Sequence, residues 1–95
     1  MTAPDALDGA AVPRLPRGVK LRYDEARTTW MLLAPERAFR IDDTAAEILK
    51  RCDGGATVDA IVAGLAAQFD AAPSVIAGDV KAMLADLVAK RVVEL

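Results

Sequence analysis

The 95-residue chain has no histidine, a single cysteine (Cys52) and four aromatic residues, Tyr23, Trp30, Phe39 and Phe69. The lack of histidine removes the commonest general base and the commonest metal ligand. One cysteine excludes an intramolecular disulfide and any cysteine-rich zinc site. Cys52 lies four residues after Ile48 in an apolar helical pattern and reads as a small core residue, not a reactive thiol. There is no glycine-rich phosphate loop: Gly54-Gly55 is a lone pair after a helix, and Asp42-Asp43 reads as a helix start rather than a catalytic pair of acids. The ordinary nucleophile–base arrangements cannot be built from these residues, so no catalytic residue, metal or cofactor is expected. No stretch approaches the ~20 apolar residues of a membrane span. Residues 1–11 have neither the basic start nor the apolar run of a signal peptide. A cytoplasmic protein with no membrane contact is expected.

What the chain does have is aliphatic bulk and an uneven charge. Hydrophobic residues make up 54% of it, enough for one domain with one core, in which Leu, Val, Ile and Ala dominate. A chain this short buries only about two-thirds of its unfolded surface, which leaves little room for a large internal cavity. The net charge of −2 conceals a split. Residues 12–41 carry seven basic side chains against three acidic ones, and residues 42–95 carry five against nine. Such a division either steers a charged partner to one end of the molecule or reflects ordinary solvated faces.

Residues 1–17 hold Pro4, Pro13 and Pro16, show no periodicity and read as a flexible N-terminal arm, with the folded domain over residues 18–95. Val19, Leu21 and Tyr23 alternate with Lys20, Arg22 and Asp24, the period-two signature of a strand. Asp24 to Arg27 is a polar turn, Thr28 to Leu33 a second and more buried strand, and Arg37 to Ile41 a third after Pro35-Glu36. The period then changes. Thr44 and Glu47 have the spacing of a capping box, with Asp43 as a competing N-cap, and Gly54-Gly55 ends the helix. Its stripe is Ala45, Ile48, Leu49 and Cys52. Thr57 caps a second helix with the stripe Val58, Ile61, Val62, Leu65 and Phe69. Ser74 caps a third that runs to about Lys90 or Arg91, and residues 92–95 pack back on the core. The fold class is therefore α+β: a three-stranded antiparallel sheet followed by three helices, in a winged helix-turn-helix arrangement.

That layout invites a nucleic-acid reading, which the third helix argues against. Between Ser74 and Ala89 it has one cation, Lys81, against Asp79 and Asp86, whereas a recognition helix carries several Arg, Lys, Asn or Gln residues. The same helix has an unusually wide apolar arc. Ile76, Val80, Met83 and Leu87 form an ordinary core stripe; Ala77, Leu84 and Val88 lie to one side of it, with Lys81 at their margin. Either the helix is sandwiched deeply, or Leu84 and Val88 wall an open groove. Strand three is the candidate edge beside such a groove, a docking place for an extended peptide. Its flanking Arg37 and Arg40 also suit the protection of an edge against unwanted pairing.

The run Arg22-Tyr23-Asp24, the segment from Trp30 through Pro35-Glu36-Arg37, and Thr44-Ala45-Ala46-Glu47-Ile48-Leu49 followed by Cys52-Asp53-Gly54 resemble the PqqD family of pyrroloquinoline quinone (PQQ) biosynthesis. The likeness continues through Asp79-Val80 and Leu84-Ala85-Asp86-Leu87 and covers about residues 14–95. It implies a winged-helix peptide chaperone and recognition element for ribosomally made, modified peptides (RiPPs). Such proteins bind the precursor peptide PqqA and deliver it to PqqE, a radical S-adenosylmethionine enzyme that cross-links a Glu and a Tyr within it. In related recognition elements the leader is an added strand beside strand three, against the third helix. The resemblance so implies a peptide site on Arg37, Ala38, Phe39, Arg40, Ile41, Lys81, Leu84 and Val88. Family members often have Asn where this chain has Asp42 or Asp43. Trp30 is either a core anchor or part of an enzyme-facing surface. Three other readings remain at this stage: a winged-helix DNA-binding regulator, a recognition element for another modified peptide, and a structural subunit of a partner enzyme. An exposed edge strand also permits a homodimer or a domain swap at high concentration.

Overall fold

In the computed structural model, which describes residues 8–95, three strands precede three helices. The strands are β1 (Lys20–Asp24), β2 (Thr29–Ala34) and β3 (Arg37–Ile41), and the helices are α1 (Asp43–Lys50), α2 (Val58–Phe69) and α3 (Pro73–Ala89). The sheet is antiparallel in the order β1-β2-β3, with Leu21, Leu32 and Phe39 in register across it. This is the expected sheet-then-helices order, compatible with a winged helix. Alternation sends Leu21, Leu32, Phe39 and Ile41 toward the helices and Arg22, Met31, Ala38 and Arg40 to the opposite face. Leu32 is wholly buried among Ile48, Leu49, Val58, Ile61, Leu65, Val80, Leu84 and Leu87.

Local chemistry sets the turns. Pro35 and Glu36 alone connect β2 to β3, with Glu36 in the left-handed region (φ 64°). The turn between β1 and β2 places Thr28 there as well (φ 53°), so β2 starts one residue later than the β-branched run suggests. The helix starts differ from the sequence expectation at two places. Asp42, not Thr44 or Asp43, caps α1: its carboxylate accepts a hydrogen bond from Ala45 N–H at 2.8 Å. Glu47 is then no member of a capping box. Its carboxylate takes hydrogen bonds from Lys50 and Arg51, which hold its pKa below the ordinary carboxylate value. Arg51 also donates to Gln68 of α2, so this cluster joins the two helices. Ser74 does not cap α3; Ala72 is the N-cap without any side-chain bond, and Pro73 opens the helix, where its missing N–H costs nothing. Thr57 caps α2 as expected, accepting from Ala60 N–H.

The ends of the chain are organised by backbone hydrogen bonds. The expected flexible arm divides: residues 1–7 lie outside the described residues, and residues 8–17 run along the helices. Gly9 and Ala11 carbonyls accept from the Asp59 and Val58 N–H groups, satisfying free donors at the start of α2. Arg14 and Glu94 exchange both backbone hydrogen bonds and an ion pair at 2.8 Å, and Pro13 is buried. These contacts use backbone groups, which leave no periodicity to read. At the other end α3 closes in a Schellman motif: Arg91 N–H bonds Val88 C=O, Val92 N–H bonds Leu87 C=O, and Arg91 takes the left-handed conformation (φ 64°). The reversal drops Val92 and Val93 into the core, while Glu94 and Leu95 stay exposed.

Packing refines the expected stripes. Ala46, not Ala45, is the fully buried alanine of α1, and Phe69 at the end of α2 is 44% exposed. In α3 the buried set is Val80, Leu84 and Leu87, with Ile76, Ala77, Met83 and Val88 partly buried around it. Its wide apolar arc therefore reflects a helix covered on more than one side. Trp30 is outside the core cluster. It is half-buried, edge-on to Tyr23 at 5.2 Å, with Lys50 Nζ 4.8 Å from its ring centre. Cys52 is buried, its Sγ 3.4 Å from Ile48 O, and burial followed by the nearby Asp53 charge pushes its thiol pKa up to about 12.

Two outcomes follow. Thr28 is β-branched at positive φ, a conformation costing an L-residue about 1–2 kcal/mol, part of which glycine's greater chain entropy offsets. Thr28→Gly is expected to stabilise the fold by about 0.5–1 kcal/mol and raise Tm by a few degrees; a lower Tm in thermal denaturation would contradict the turn. Burial makes the Cys52 thiol ionise at higher pH in the folded protein than in the unfolded chain. The unfolded chain ionises first, near the ordinary value of 9.0, so this group's contribution to stability is intact below that pH and falls steadily as pH rises toward about 12. At pH 8 a disulfide reagent should label Cys52 only as fast as denaturant opens the fold. Labelling of the native protein at the free-thiol rate would show the side chain accessible.

Candidate edge-strand site

The Pro35-Glu36 connection decides which backbone groups β3 offers. In a two-residue hairpin the closing pair, here Ala34 and Arg37, exchanges hydrogen bonds, and antiparallel strands alternate bonded and non-bonded pairs from there. Phe39 and Ile41 consequently bond back to Leu32 and Trp30, and the N–H and C=O groups of Ala38 and Arg40 point to the open edge. β2 covers only one side of β3. Among the described residues the edge is thus a short row of unpaired donors and acceptors, a template for one more strand.

Along that edge runs a groove of about 240 Å³ between β3 and α3. Phe39 and Ile41 form its sheet side, Met83 and Leu87 its helix side, and Ala45 with Asp42 close it toward α1. At the opposite end Lys90 lines it, and the Lys90 C=O at the negative end of α3 accepts from the Arg37 guanidinium at 2.9 Å. Phe39 lies between two cations there, with Arg37 5.5 Å and Lys90 Nζ 5.8 Å from its ring centre. Lys90 is in turn paired with Asp86 at 2.7 Å. The Arg37 side chain is therefore a strut fixing β3 to the end of α3. Apolar walls with balanced charge at the rim suit the side chains of an extended peptide, which pack there while its backbone pairs with the edge.

The residues proposed from sequence distribute unevenly over this geometry. Arg37, Ala38, Phe39, Arg40 and Ile41 are together on β3: Phe39, Arg40 and Ile41 line the groove, Ala38 and Arg40 supply the free edge groups, and Arg37 braces α3. The helix residues need correction. Leu84 is 0% exposed and belongs to the core, so its side chain walls no groove. Val88 lines a different hollow with Arg14, Arg91 and Leu95. Lys81 is half-buried and lines neither. The helix face that meets the groove is Met83, Asp86, Leu87 and Lys90. Their spacing of three, four and seven is a legible helical face, but two of its members also fit the core stripe, and the choice between adjacent faces rests on how α3 is rolled.

Among the described residues no group of three or more His, Cys, Asp or Glu side chains is placed to hold a metal ion, and no helix is long and apolar enough to cross a membrane.

Residues 29–93 match the family model of coenzyme PQQ synthesis protein D (PqqD). The bifunctional coenzyme PQQ synthesis protein C/D of Methylorubrum extorquens is 52% identical over 91 residues, 96% of this chain but only 24% of that protein. A PqqA binding protein of Rhodopseudomonas palustris (strain BisB5) is 51% identical over 81 residues, covering 85% of this chain and 79% of the relative. In three dimensions the chain is similar to the solution NMR structure of the PqqD truncation of Methylobacterium extorquens PqqCD, described as a functional, stand-alone RiPP recognition element. The TM-score is 0.85 at 50% identity, over 99% of this chain and 100% of that one. A matching family model over most of the chain, relatives at half identity and the same sheet-and-helix architecture together place this chain in the PqqD family.

Proposed function

We propose that the protein is a peptide chaperone of PQQ biosynthesis. It binds a PqqA-type precursor as a fourth strand beside β3 and presents it to the radical S-adenosylmethionine enzyme PqqE. The observation that carries this reading is the open edge of β3, with the outward groups of Ala38 and Arg40 running beside the groove lined by Phe39, Ile41, Met83 and Leu87. Family membership and the PqqA-binding names of close relatives support it. The composition supports a carrier rather than a catalyst: the chain has no histidine, and its one thiol is buried and protonated. A carrier needs no chemistry of its own, because holding a flexible peptide at a fixed place raises its effective concentration beside the enzyme.

In this reading the backbone of β3 supplies pairing common to any extended peptide, and the groove supplies selection. Met83 and Leu87 replace Leu84 and Val88 as the helix contacts, with Asp86 and Lys90 paired to each other at the rim. The reading is tested with Ala38→Pro. Proline removes an N–H that points away from β2, the position in an edge strand where it does least harm to the sheet. The variant is expected to keep its Tm within a few degrees and to lose at least about tenfold in affinity for a synthetic PqqA-type peptide, the order of one charge-free hydrogen bond with its strand register. In a backbone-amide NMR titration of the parent protein, shifts should cluster on residues 37–41 and on Met83, Leu87 and Lys90. Undiminished affinity in the proline variant, with shifts elsewhere, would sink the strand-addition mode.

A further inference from the structure

The face of the sheet turned away from the helices shares only Arg40 with the groove lining, and its composition is unusual. The register sets Arg22, Met31 and Arg40 in one row across the three strands and Lys20, Leu33 and Ala38 in the next. The two apolar side chains of the central strand are half-buried and lie outside the core cluster. Around them Lys20, Arg22 and Arg40 are exposed, and among the described residues none is in an ion pair within 4 Å. Arg22, Arg27, Met31, Leu33 and Ala38 help to line a hollow of about 460 Å³ on this side. Its acidic side chains are Asp24, engaged with Arg27 at 3.8 Å, and Glu25 in the turn. Three of the seven basic side chains of residues 12–41, Lys20, Arg22 and Arg40, thus surround an apolar strip.

We propose that this outer face is the docking surface for an acidic, folded protein partner, the enzyme that modifies the bound peptide; the identity of the partner rests on the chaperone reading above. The chemistry selects among occupants. A nucleic-acid backbone would use the cations but leave Met31 and Leu33 unmatched. A second copy placed face to face about a two-fold axis would set Lys20, Arg22 and Arg40 against themselves. A protein surface with an apolar knob ringed by carboxylates satisfies both the strip and its rim. The face is also placed for presentation. Three strands about 4.8 Å apart and five residues of about 3.3 Å give it a width and length of roughly 15 by 17 Å, well short of the ~800 Å² per partner of a stable interface. A peptide strand paired with β3 continues the same sheet and turns alternate side chains of its own onto this face. The partner therefore meets its substrate and a wider surface together, and binds the loaded carrier more tightly than the empty one.

The test uses the charge-reversal variant K20E/R22E, whose two residues are on β1, away from the β3 edge and the groove. Affinity for the purified radical S-adenosylmethionine enzyme of the same organism is measured by titration calorimetry at two salt concentrations, with and without synthetic precursor peptide. The variant is expected to bind peptide as the parent does and the enzyme at least tenfold more weakly, while the parent's enzyme affinity rises several-fold with peptide and falls with salt. Unchanged enzyme affinity in the variant, or no binding of the enzyme by the parent, overturns the proposal. So does an effect of K20E/R22E confined to duplex DNA binding or to self-association in sedimentation, which would assign the face to those occupants. Loss of strand addition registers separately. If Ala38→Pro binds peptide normally while K20E/R22E still loses the enzyme, the peptide mode fails and the docking face stands.

Discussion

The roll of α3 about its own axis is the constraint on which the rest of the molecule depends. Val80, Leu84 and Leu87 must face the core, because they close the same cluster as Leu32 of the sheet and Ile61 and Leu65 of α2. Once they do, helical geometry turns Met83, Asp86, Leu87 and Lys90 toward β3 and Val88 toward the chain ends. Leu87 belongs to both sets, so the groove floor is continuous with the core. The strut from Arg37 to the Lys90 carbonyl and the Schellman turn at Arg91 hold the end of α3 in that orientation. A helix free to roll by one residue would bury Met83 and present Leu84, and the groove would be a different one.

β3 turns the same economy to use at five residues. Its period of two sends Phe39 and Ile41 inward to the groove and Ala38 and Arg40 outward to the cation-framed face, and the hairpin phase aims the backbone groups of those same two outward residues at the open edge. The open edge, the groove and the outer face thereby lie in three directions around one strand, to which the proposals above assign peptide pairing, peptide selection and partner docking. The arrangement depends on the length of the Pro35-Glu36 turn. One residue more would shift the register and exchange the inward and outward sets.

Much of the fold was legible because it is written in side-chain periodicity: three strands, three helices, the Thr57 cap and the burial of Cys52 all follow from alternation, spacing or a named cap. What was illegible is carried by backbone or by competition between equivalent residues. Gly9 and Ala11 cap α2 through carbonyls that any residue possesses, so residues 8–17 looked like a featureless arm. Asp42, Asp43 and Thr44 are three adjacent capping residues, and only the bond to Ala45 N–H distinguishes them. At the candidate site the strand half was readable, since a short charged strand at the end of a sheet is an edge. On the helix it is Met83 and Leu87 that line the groove beside β3, while Leu84 is buried and Val88 lines another hollow; an apolar arc this wide gives no phase from composition alone.

The difference between those two halves has a physical root that bears on how such a carrier recognises its peptide. Strand addition draws on N–H and C=O groups, so the strand contributes affinity with little dependence on which residues present it. In the proposed function discrimination must then come from the few groove side chains, Phe39, Ile41, Met83 and Leu87, beside which Asp86 and Lys90 are already paired with each other. A methionine on one wall tolerates more than one apolar shape, whereas an ion pair already satisfied internally gains little from a peptide charge. Selectivity in the groove is accordingly modest. On the proposed reading the outward-facing alternate residues of an added strand are left for the partner to read, and precision is divided between a carrier that fixes where the peptide lies and an enzyme that tests what it is.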